Sequence, residues 1–198
     1  CGHDNHVSIL MGVAEVLAGL GDDLPGTVKF IFQPAEEGAP DGSVGGAELM
    51  IAEGAFENPR PDVVFGLHGF PFPVGTIATR PGGLMASSDC YRIVVNGQQT
   101  HGAVPWAGVD PIVTASQVVL GLQTIVSRQL DATKTPSIVT VGKIEGGVRN
   151  NIIPESVELV GTIRTFDADT RLDIHDRIRR TATNIAEAAG ASADVEVD

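Results

Sequence analysis

Residues 155–198 read ESVELVGTIRTFDADTRLDIHDRIRRTATNIAEAAGASADVEVD, and they predict a strand, a long helix and a second strand in succession. Alternating apolar residues indicate strands at residues 155–165 and 192–198. Between them, residues 168–189 have apolar side chains at three- and four-residue intervals, which is typical of a helix with one buried face. This stretch therefore predicts half of a small layered domain.

The preceding residues supply the other half. Residues 88–96 (SDCYRIVVN) and 136–145 predict strands, and Asp110-Pro111 predicts the start of a helix between them, since Asp is a good N-cap and Pro fits the first helical position. The order β-α-β-β-α-β is the split βαβ arrangement. We therefore expect an α+β ferredoxin-like domain at residues 86–198.

Three side chains of this domain have predicted environments. The strand register predicts that Cys90 is a core thiol and that Tyr91 lies on the opposite face. His175 stands four residues from both Arg171 and Arg179, which predicts a surface residue.

Residues 1–85 have a different pattern. Helices are predicted at residues 6–20 and 44–54, and strands at residues 27–33, 62–68 and 74–79. The strand at 62–68 (DVVFGLH) is apolar enough to be buried on both faces. Because the chain starts at Cys1 without an initiator Met, we expect these residues to be a partial α/β domain.

Composition narrows the class of function. Thirteen basic and 25 acidic residues give a net charge of −12, which disfavours a nucleic-acid partner because phosphate binding needs clustered Lys and Arg. No apolar run reaches the roughly 18–20 residues that a membrane span needs. Two cysteines do not make a disulfide framework. We expect a cytoplasmic protein with no membrane partner.

Potential metal ligands stand near the start of the chain. In an extended loop, Cys1 and His3 project to the same side and offer a thiolate and an imidazole, which suit zinc-like ions. Asp4 or His6 could orient such a ligand. Taken alone, this short pattern fits an ordinary polar loop equally well.

Two adjacent carboxylates, Glu36 and Glu37, follow the strand predicted at 27–33. Because side chains alternate in extended chain, we expect them to point in different directions. One could bind a metal, which lowers the pKa of a bound water to roughly 7, while the other accepts a proton as general base. An isolated pair is more often a solvated acidic loop.

His68 completes the set at the carboxyl end of the strand predicted at 62–68, the edge at which ligands collect in open α/β sheets. A lone His there is more often structural. Three such groups at loop or strand ends together predict a metal site.

The second domain has polar candidates of its own: His101, Asn151 and Arg164. An imidazole, an amide and a guanidinium can hold a carboxylate and a developing oxyanion. From the residues alone, two turn residues and an exposed strand Arg are the simpler interpretation.

Several motifs together resemble one family: CGHDNH, FQPAEEG, GGAELMIAEGAF, FGLH, VGTIATRPG, THGAVPWAGVDPI, LQTIVSR and NNIIPESVELVGTIRTFD. They are similar to the hippurate hydrolase branch of the aminoacylase-type metallopeptidases, which includes N-acyl-amino-acid amidohydrolases and hydrolases of indole-acetic-acid conjugates. The resemblance implies a two-metal, zinc-peptidase-like α/β catalytic domain (residues 1–85, in part) and an inserted lid domain that makes a homodimer (residues 86–198).

The resemblance also implies residue roles. It gives Cys1 as a metal bridge, His3, Glu37 and His68 as metal ligands, Glu36 as general base, His101 as a lid residue that reaches the partner subunit's active site, and Asn151 and Arg164 as contacts to the substrate carboxylate. Two features depart from the family. Trp106 stands where many relatives have His, and a D-x-D-A-like segment and a last ligating His would lie outside residues 1–198.

The sequence thus predicts hydrolysis of an N-acyl-amino acid with two divalent metal ions. Zinc or manganese is favoured, and cobalt and nickel also suit these ligands. The alternative is an inactive fragment that acts only as a dimerising or binding module. Thiol redox chemistry is disfavoured because Cys1 and Cys90 lie in separate predicted domains and form no C-x-x-C.

Overall fold

The chain folds as two units, Cys1–Ile77 and Ala78–Asp198. The computed structural model describes residues 2–39 and 44–198. No helix in these two ranges is long and apolar enough to cross a membrane. The roles inferred for residues 1–85 and 86–198, a catalytic domain and a lid, stay predictions.

A four-stranded antiparallel sheet forms the second unit. Its strands are β1 (Asp89–Asn96), β3 (Ser137–Gly146), β5 (Ser156–Thr165) and β6 (Ser192–Val197), in the spatial order β3-β5-β1-β6. Two short strands, β2 (Thr100–His101) and β4 (Ile152–Ile153), pair separately. The order of the four long strands is the ferredoxin-like one, which confirms the predicted β-α-β-β-α-β domain.

Two helices pack on one face of this sheet, α3 (Pro111–Thr124) and α4 (Ala168–Ala188), and a π-helical turn, Ile125–Gln129, extends α3. The Asp110 carboxylate accepts hydrogen bonds from the backbone N–H groups of Ile112 (2.9 Å) and Val113 (3.3 Å), as expected for an N-cap. The core between sheet and helices consists mainly of Tyr91, Ile93, Val95, Ala115, Val118, Leu122, Ile125, Val157, Leu159, Ile163, Ile174, Ile178 and Ala182.

The faces of β1 are the reverse of the prediction for Cys90. Tyr91 points into the core, and Cys90 is exposed on the other face of the sheet. Since successive side chains alternate, Tyr91 shares its face with Ile93 and Val95, and the helices cover that face, which leaves Cys90 on the other.

His175 is buried rather than on the surface, with 7% of its area exposed. It lies on the sheet side of α4, where its Nε2 is 3.5 Å from the carboxylate of Asp89. Asp89 accepts hydrogen bonds from Ser87 Oγ (2.7 Å) and from the guanidinium of Arg171, whereas His175 Nε2 makes no hydrogen bond within the described residues. The flanking arginines suggested a polar helix face, but the helix turns His175 towards a buried carboxylate at the start of β1.

The first unit contains α1 (His3–Ala18), a 3₁₀ turn at Gly21–Asp23 and α2 (Gly46–Ala52). The strands predicted at residues 27–33, 62–68 and 74–79 are not formed, because none of these segments joins a ladder within the described residues. A strand exists only when a neighbour satisfies its N–H and C=O groups, so apolar composition is not sufficient.

Apolar side chains of the first unit are correspondingly exposed. Phe65, expected inside a buried strand, is 92% exposed. No residue of α1 is buried, and its apolar residues Ile9, Val13 and Val16 are exposed. The buried faces predicted for α1 and for residues 62–68 are therefore wrong for the described structure.

Candidate metal centre

The first turn of α1 presents two imidazoles on one side. The helix begins at His3 after Gly2, whose positive φ of 73° favours glycine. His3 and His6 are three residues apart, so they share a face, and their ring centroids are 6.0 Å apart. His3 therefore projects from a helix and not from the extended loop that the sequence suggested. Cys1 lies outside the described residues.

Glu36 and Glu37 both reach the same atom of His3. Glu36 Oε2 and Glu37 Oε1 each lie 3.3 Å from His3 Nε2. The expectation that adjacent carboxylates must diverge is wrong here because the pair stands in a turn, closed by a hydrogen bond from Gly38 N–H to the carbonyl of Ala35 (3.1 Å). Side chains alternate only in extended chain.

The start of α2 packs against this turn. Gly46 has a φ of 60°, and a Cβ built there would stand 3.2 Å from the carbonyl oxygen of Ala35 and 3.1 Å from the side chain of Gln33. A larger residue at position 46 would thus disturb the turn that orients the two carboxylates.

His68 lies close to His6, with ring centroids 5.7 Å apart. Its Nδ1 is 2.7 Å from the carbonyl oxygen of Gly69, and because a carbonyl can only accept, Nδ1 carries the proton. The Nε2 lone pair of His68 is consequently available to a metal.

His6 has a different connection. Its Nε2 accepts the backbone N–H of Gly69 (2.8 Å), so this nitrogen is already used. His6 thereby connects α1 to the segment that carries His68, which suits an orienting role better than a ligand role. The three-residue spacing predicts that His3 and His6 share a helix face, but no local sequence pattern predicts the contact of His6 with Gly69.

The donor set fits a divalent cation. Three exposed side chains each offer one ligand atom, and these atoms lie within 4.8 Å of one another: those of His3, Glu36 and Glu37. They line a cleft of about 1220 Å³ in the first unit, together with His6 and His68. Imidazole and carboxylate donors suit zinc and manganese. A cation would also offset the repulsion between the two carboxylates.

In the second unit, β2 and β4 bring His101 and Asn151 together. His101 pairs with Ile152, and Gly102 N–H donates to the carbonyl of Asn151 (2.8 Å). His101 Nδ1 accepts the N–H of Ala103 (3.1 Å), so its Nε2 carries the proton when the ring is neutral. The exposed imidazole therefore presents a hydrogen-bond donor.

Arg164 lies far from that pair within the same unit. It stands near the end of β5, and its guanidinium donates to the carbonyl of Ile163 (2.9 Å) and to Thr162 Oγ1. Asn151 precedes the start of β5 at Ser156. Arg164 is eight positions beyond Ser156 along the strand, which is roughly 26 Å at about 3.3 Å per residue. The structure does not bring Arg164 to the His101 loop of the same chain.

Residues 1–197 match the sequence profile of peptidase family M20/M25/M40. A thermostable carboxypeptidase 2 from Saccharolobus solfataricus is 39% identical over 197 residues, which cover 99% of this chain and 49% of the relative. The N-acyl-L-amino acid amidohydrolase of Geobacillus stearothermophilus is 39% identical over 199 residues, covering 100% of this chain and 52% of the relative. The chain thus spans about half the length of the curated relatives it matches.

Solved structures match over the full chain. A protein from methicillin-resistant Staphylococcus aureus has a TM-score of 0.89 and 33% identity, covering 100% of this chain and 51% of that one. The Bacillus subtilis YXEP protein, a dinuclear metal-binding peptidase of family M20, has a TM-score of 0.76 and 35% identity, covering 100% of this chain and 48% of that one.

Proposed function

The chain belongs to peptidase family M20/M25/M40, and on that basis we propose that its protein is a metal-dependent amidohydrolase that cleaves N-acyl-amino acids. The observation that carries this proposal is the convergence of Glu36 and Glu37 on His3 Nε2, at 3.3 Å each. The similarity to an N-acyl-L-amino acid amidohydrolase favours an amide substrate of this class.

Two divalent metal ions, zinc or manganese, would be held at this centre. The dinuclear metal-binding relative supports the number. His3, Glu37 and His68 would be ligands, and the family resemblance adds Cys1 to the residues that would hold the metals. When bound, the metals would supply Lewis acidity at the substrate carbonyl.

Glu36 would transfer protons during the reaction. As general base it would take a proton from the attacking water, and as general acid it would then deliver a proton to the leaving amine. The Nε2–H of His101 would donate to the oxyanion that develops on the carbonyl oxygen.

Glu36 and Glu37 can be separated by experiment in the full-length protein. Glu36→Gln should keep its metal content while turnover falls about 10²–10⁴-fold, because only proton transfer is lost. Glu37→Gln should lose metal. Glu53→Gln, at an exposed glutamate just after α2, is the matched control and should change neither. Retained turnover in Glu36→Gln would refute the assignment of Glu36 as base.

A homodimer through the second unit is part of the proposal. Strand β3 is an edge strand, and beside it Leu120 and Ile144 line an apolar groove of about 440 Å³ with Val119 and Val141. An open edge with exposed apolar neighbours is suited to a second copy of the same surface.

A dimer also reconciles the proposed substrate contacts. Asn151 precedes the start of β5 and Arg164 stands near its end, roughly 26 Å from Ser156 at about 3.3 Å per residue, which favours contacts to one small substrate from two different chains. If both bind the substrate carboxylate, they come from different protomers. Mixed dimers of His101→Ala and Glu36→Gln subunits should then recover part of the activity, since one of the two sites keeps both groups. No recovery in confirmed mixed dimers would contradict action across the interface.

A dimerising or binding module without activity is the second candidate. It is favoured by the difference between the units: the second has a closed core, whereas α1 in the first has no buried residue. Metal analysis of the 198-residue chain separates the two candidates. Two tightly held metals support the hydrolase, and none supports the module.

A further inference from the structure

The loop that carries His101 is closed at its base. Gln98 and Val109 exchange two backbone hydrogen bonds (2.9 and 3.1 Å), which brings the two ends of the loop together. Near one end of the loop, Gly108 packs against the residues at the other end. A Cβ added at Gly108 would stand 2.4 Å from the carbonyl oxygen of Gln98 and 2.7 Å from Thr100 Cγ2. The ten residues between Gln98 and Val109 therefore form a compact closed loop.

Hydrogen bonds also fix the interior of this loop. Val104 N–H donates to the carbonyl of His101 (2.9 Å), and Ala107 N–H donates to that of Val104 (3.0 Å) within the 3₁₀ turn Pro105–Ala107. Pro105 restricts the backbone further. His101 and the turn that contains Trp106 are thus held in one arrangement before any ligand binds.

Trp106 is 81% exposed in this turn, and it is the single tryptophan of the chain. An exposed indole on a preorganised loop is a large apolar contact surface available at little entropic cost. The loop also carries the exposed side chain of His101, and the exposed Asn151 is joined to it because its carbonyl accepts the N–H of Gly102 (2.8 Å), so these residues form one loop cluster. The cluster therefore combines one apolar surface with two hydrogen-bonding groups.

We propose that Trp106 is a specificity-determining residue that packs against the acyl group of the substrate and favours flat aromatic acyl groups over acetyl. The inference rests on the proposed function, since it requires His101 to contact the scissile carbonyl. The acyl half adjoins that carbonyl and carries no charge, so an indole suits it. The carboxylate half needs the polar contacts instead.

The test compares kcat/KM for three substrates in the metal-loaded full-length protein: N-benzoyl-alanine, N-acetyl-alanine and N-acetyl-phenylalanine. Trp106→Ala should lower the benzoyl-to-acetyl ratio on alanine about tenfold, because the stacking surface is lost. Trp106→Phe keeps a ring and should stay within about threefold of wild type. Leu172→Ala, at an exposed leucine on α4, is the control and should leave the ratio unchanged.

The outcomes separate this inference from the proposed function. If the wild-type protein hydrolyses none of the three substrates, the proposed function fails and the inference fails with it. If it hydrolyses them but Trp106→Ala leaves the benzoyl-to-acetyl ratio unchanged, the inference alone is overturned. If Trp106→Ala changes only the ratio of kcat/KM between N-acetyl-alanine and N-acetyl-phenylalanine, Trp106 contacts the amino-acid side chain of the substrate. If the variant changes only the mass of the dimer in light scattering, Trp106 belongs to an interface. Either result overturns the acyl assignment.

Discussion

Gly161, at the centre of the ferredoxin-like sheet, should not tolerate a methyl group. It lies in β5 between β3 and β1, opposite Val141 and Tyr91. A Cβ built there would stand 2.2 Å from the carbonyl oxygen of Thr140, 2.2 Å from Tyr91 Cζ and 2.3 Å from the Tyr91 hydroxyl oxygen. Gly161→Ala must therefore displace a buried ring and a strand backbone together.

The expected loss has two parts. Overpacking a tight core costs about 1–3 kcal/mol. Moving the Tyr91 ring also breaks its hydrogen bond to the Thr140 carbonyl (3.0 Å). Burial raises the pKa of Tyr91 to about 12, so this hydrogen bond lies in a desolvated environment. Leaving the Tyr91 hydroxyl and the Thr140 carbonyl unpaired there costs about 1–3 kcal/mol. We expect Gly161→Ala to lower the free energy of unfolding by about 2–6 kcal/mol.

Urea unfolding followed by far-ultraviolet circular dichroism measures this loss. Gly142→Ala is the matched control on the neighbouring strand, since a Cβ there meets only the Val160 carbonyl at 3.9 Å. It should change stability by less than about 1 kcal/mol. In a Tyr91→Leu background, which lacks Cζ and the hydroxyl, Gly161→Ala should cost less than it does alone. Equal losses at positions 161 and 142, or no coupling to position 91, would refute the packing argument.

Two further predictions concern the second unit. Asp110→Ala should lower the unfolding free energy by about 1 kcal/mol because two N–H groups of α3 lose their acceptor, whereas Asp110→Asn should be nearly neutral; equal losses by urea unfolding would contradict the capping role. Burial lowers the pKa of His175, assisted by Arg171 and Arg179 and opposed by the Asp89 carboxylate. Below about pH 6.5 the unfolded chain therefore takes up a proton that the folded chain resists, so stability should fall by up to about 1.4 kcal/mol per pH unit. His175→Leu should flatten that slope between pH 7.5 and 5.5 in the same assay, and an unchanged slope would show that His175 is not responsible.

Local sequence patterns were sufficient to predict the order of the long strands and helices in the second unit. The alternation in residues 155–165, the three- and four-residue spacing in α4 and the cap at Asp110 each depend on neighbours a few positions away. Such patterns gave the β-α-β-β-α-β order that the sheet confirms. The candidate metal ligands were also visible, because their chemistry and motif context belong to the sequence.

The orientation of individual side chains required the tertiary structure. Whether Cys90 or Tyr91 faces the core is set by which face of the sheet the helices cover, and His175 is buried because α4 turns it towards Asp89. Apolar residues 62–68 form no strand, since a ladder needs a partner that no local pattern supplies.

The same distinction applies to the candidate metal centre. Residues 1–85 by themselves determined which donors this protein has: an imidazole at position 3, paired carboxylates at positions 36 and 37, and an imidazole at position 68. Only the fold decided that Glu36 and Glu37 both approach His3, because a turn at Ala35–Gly38 overrides strand alternation. The donor types are fixed residue by residue, whereas their convergence depends on contacts between residues more than 30 positions apart.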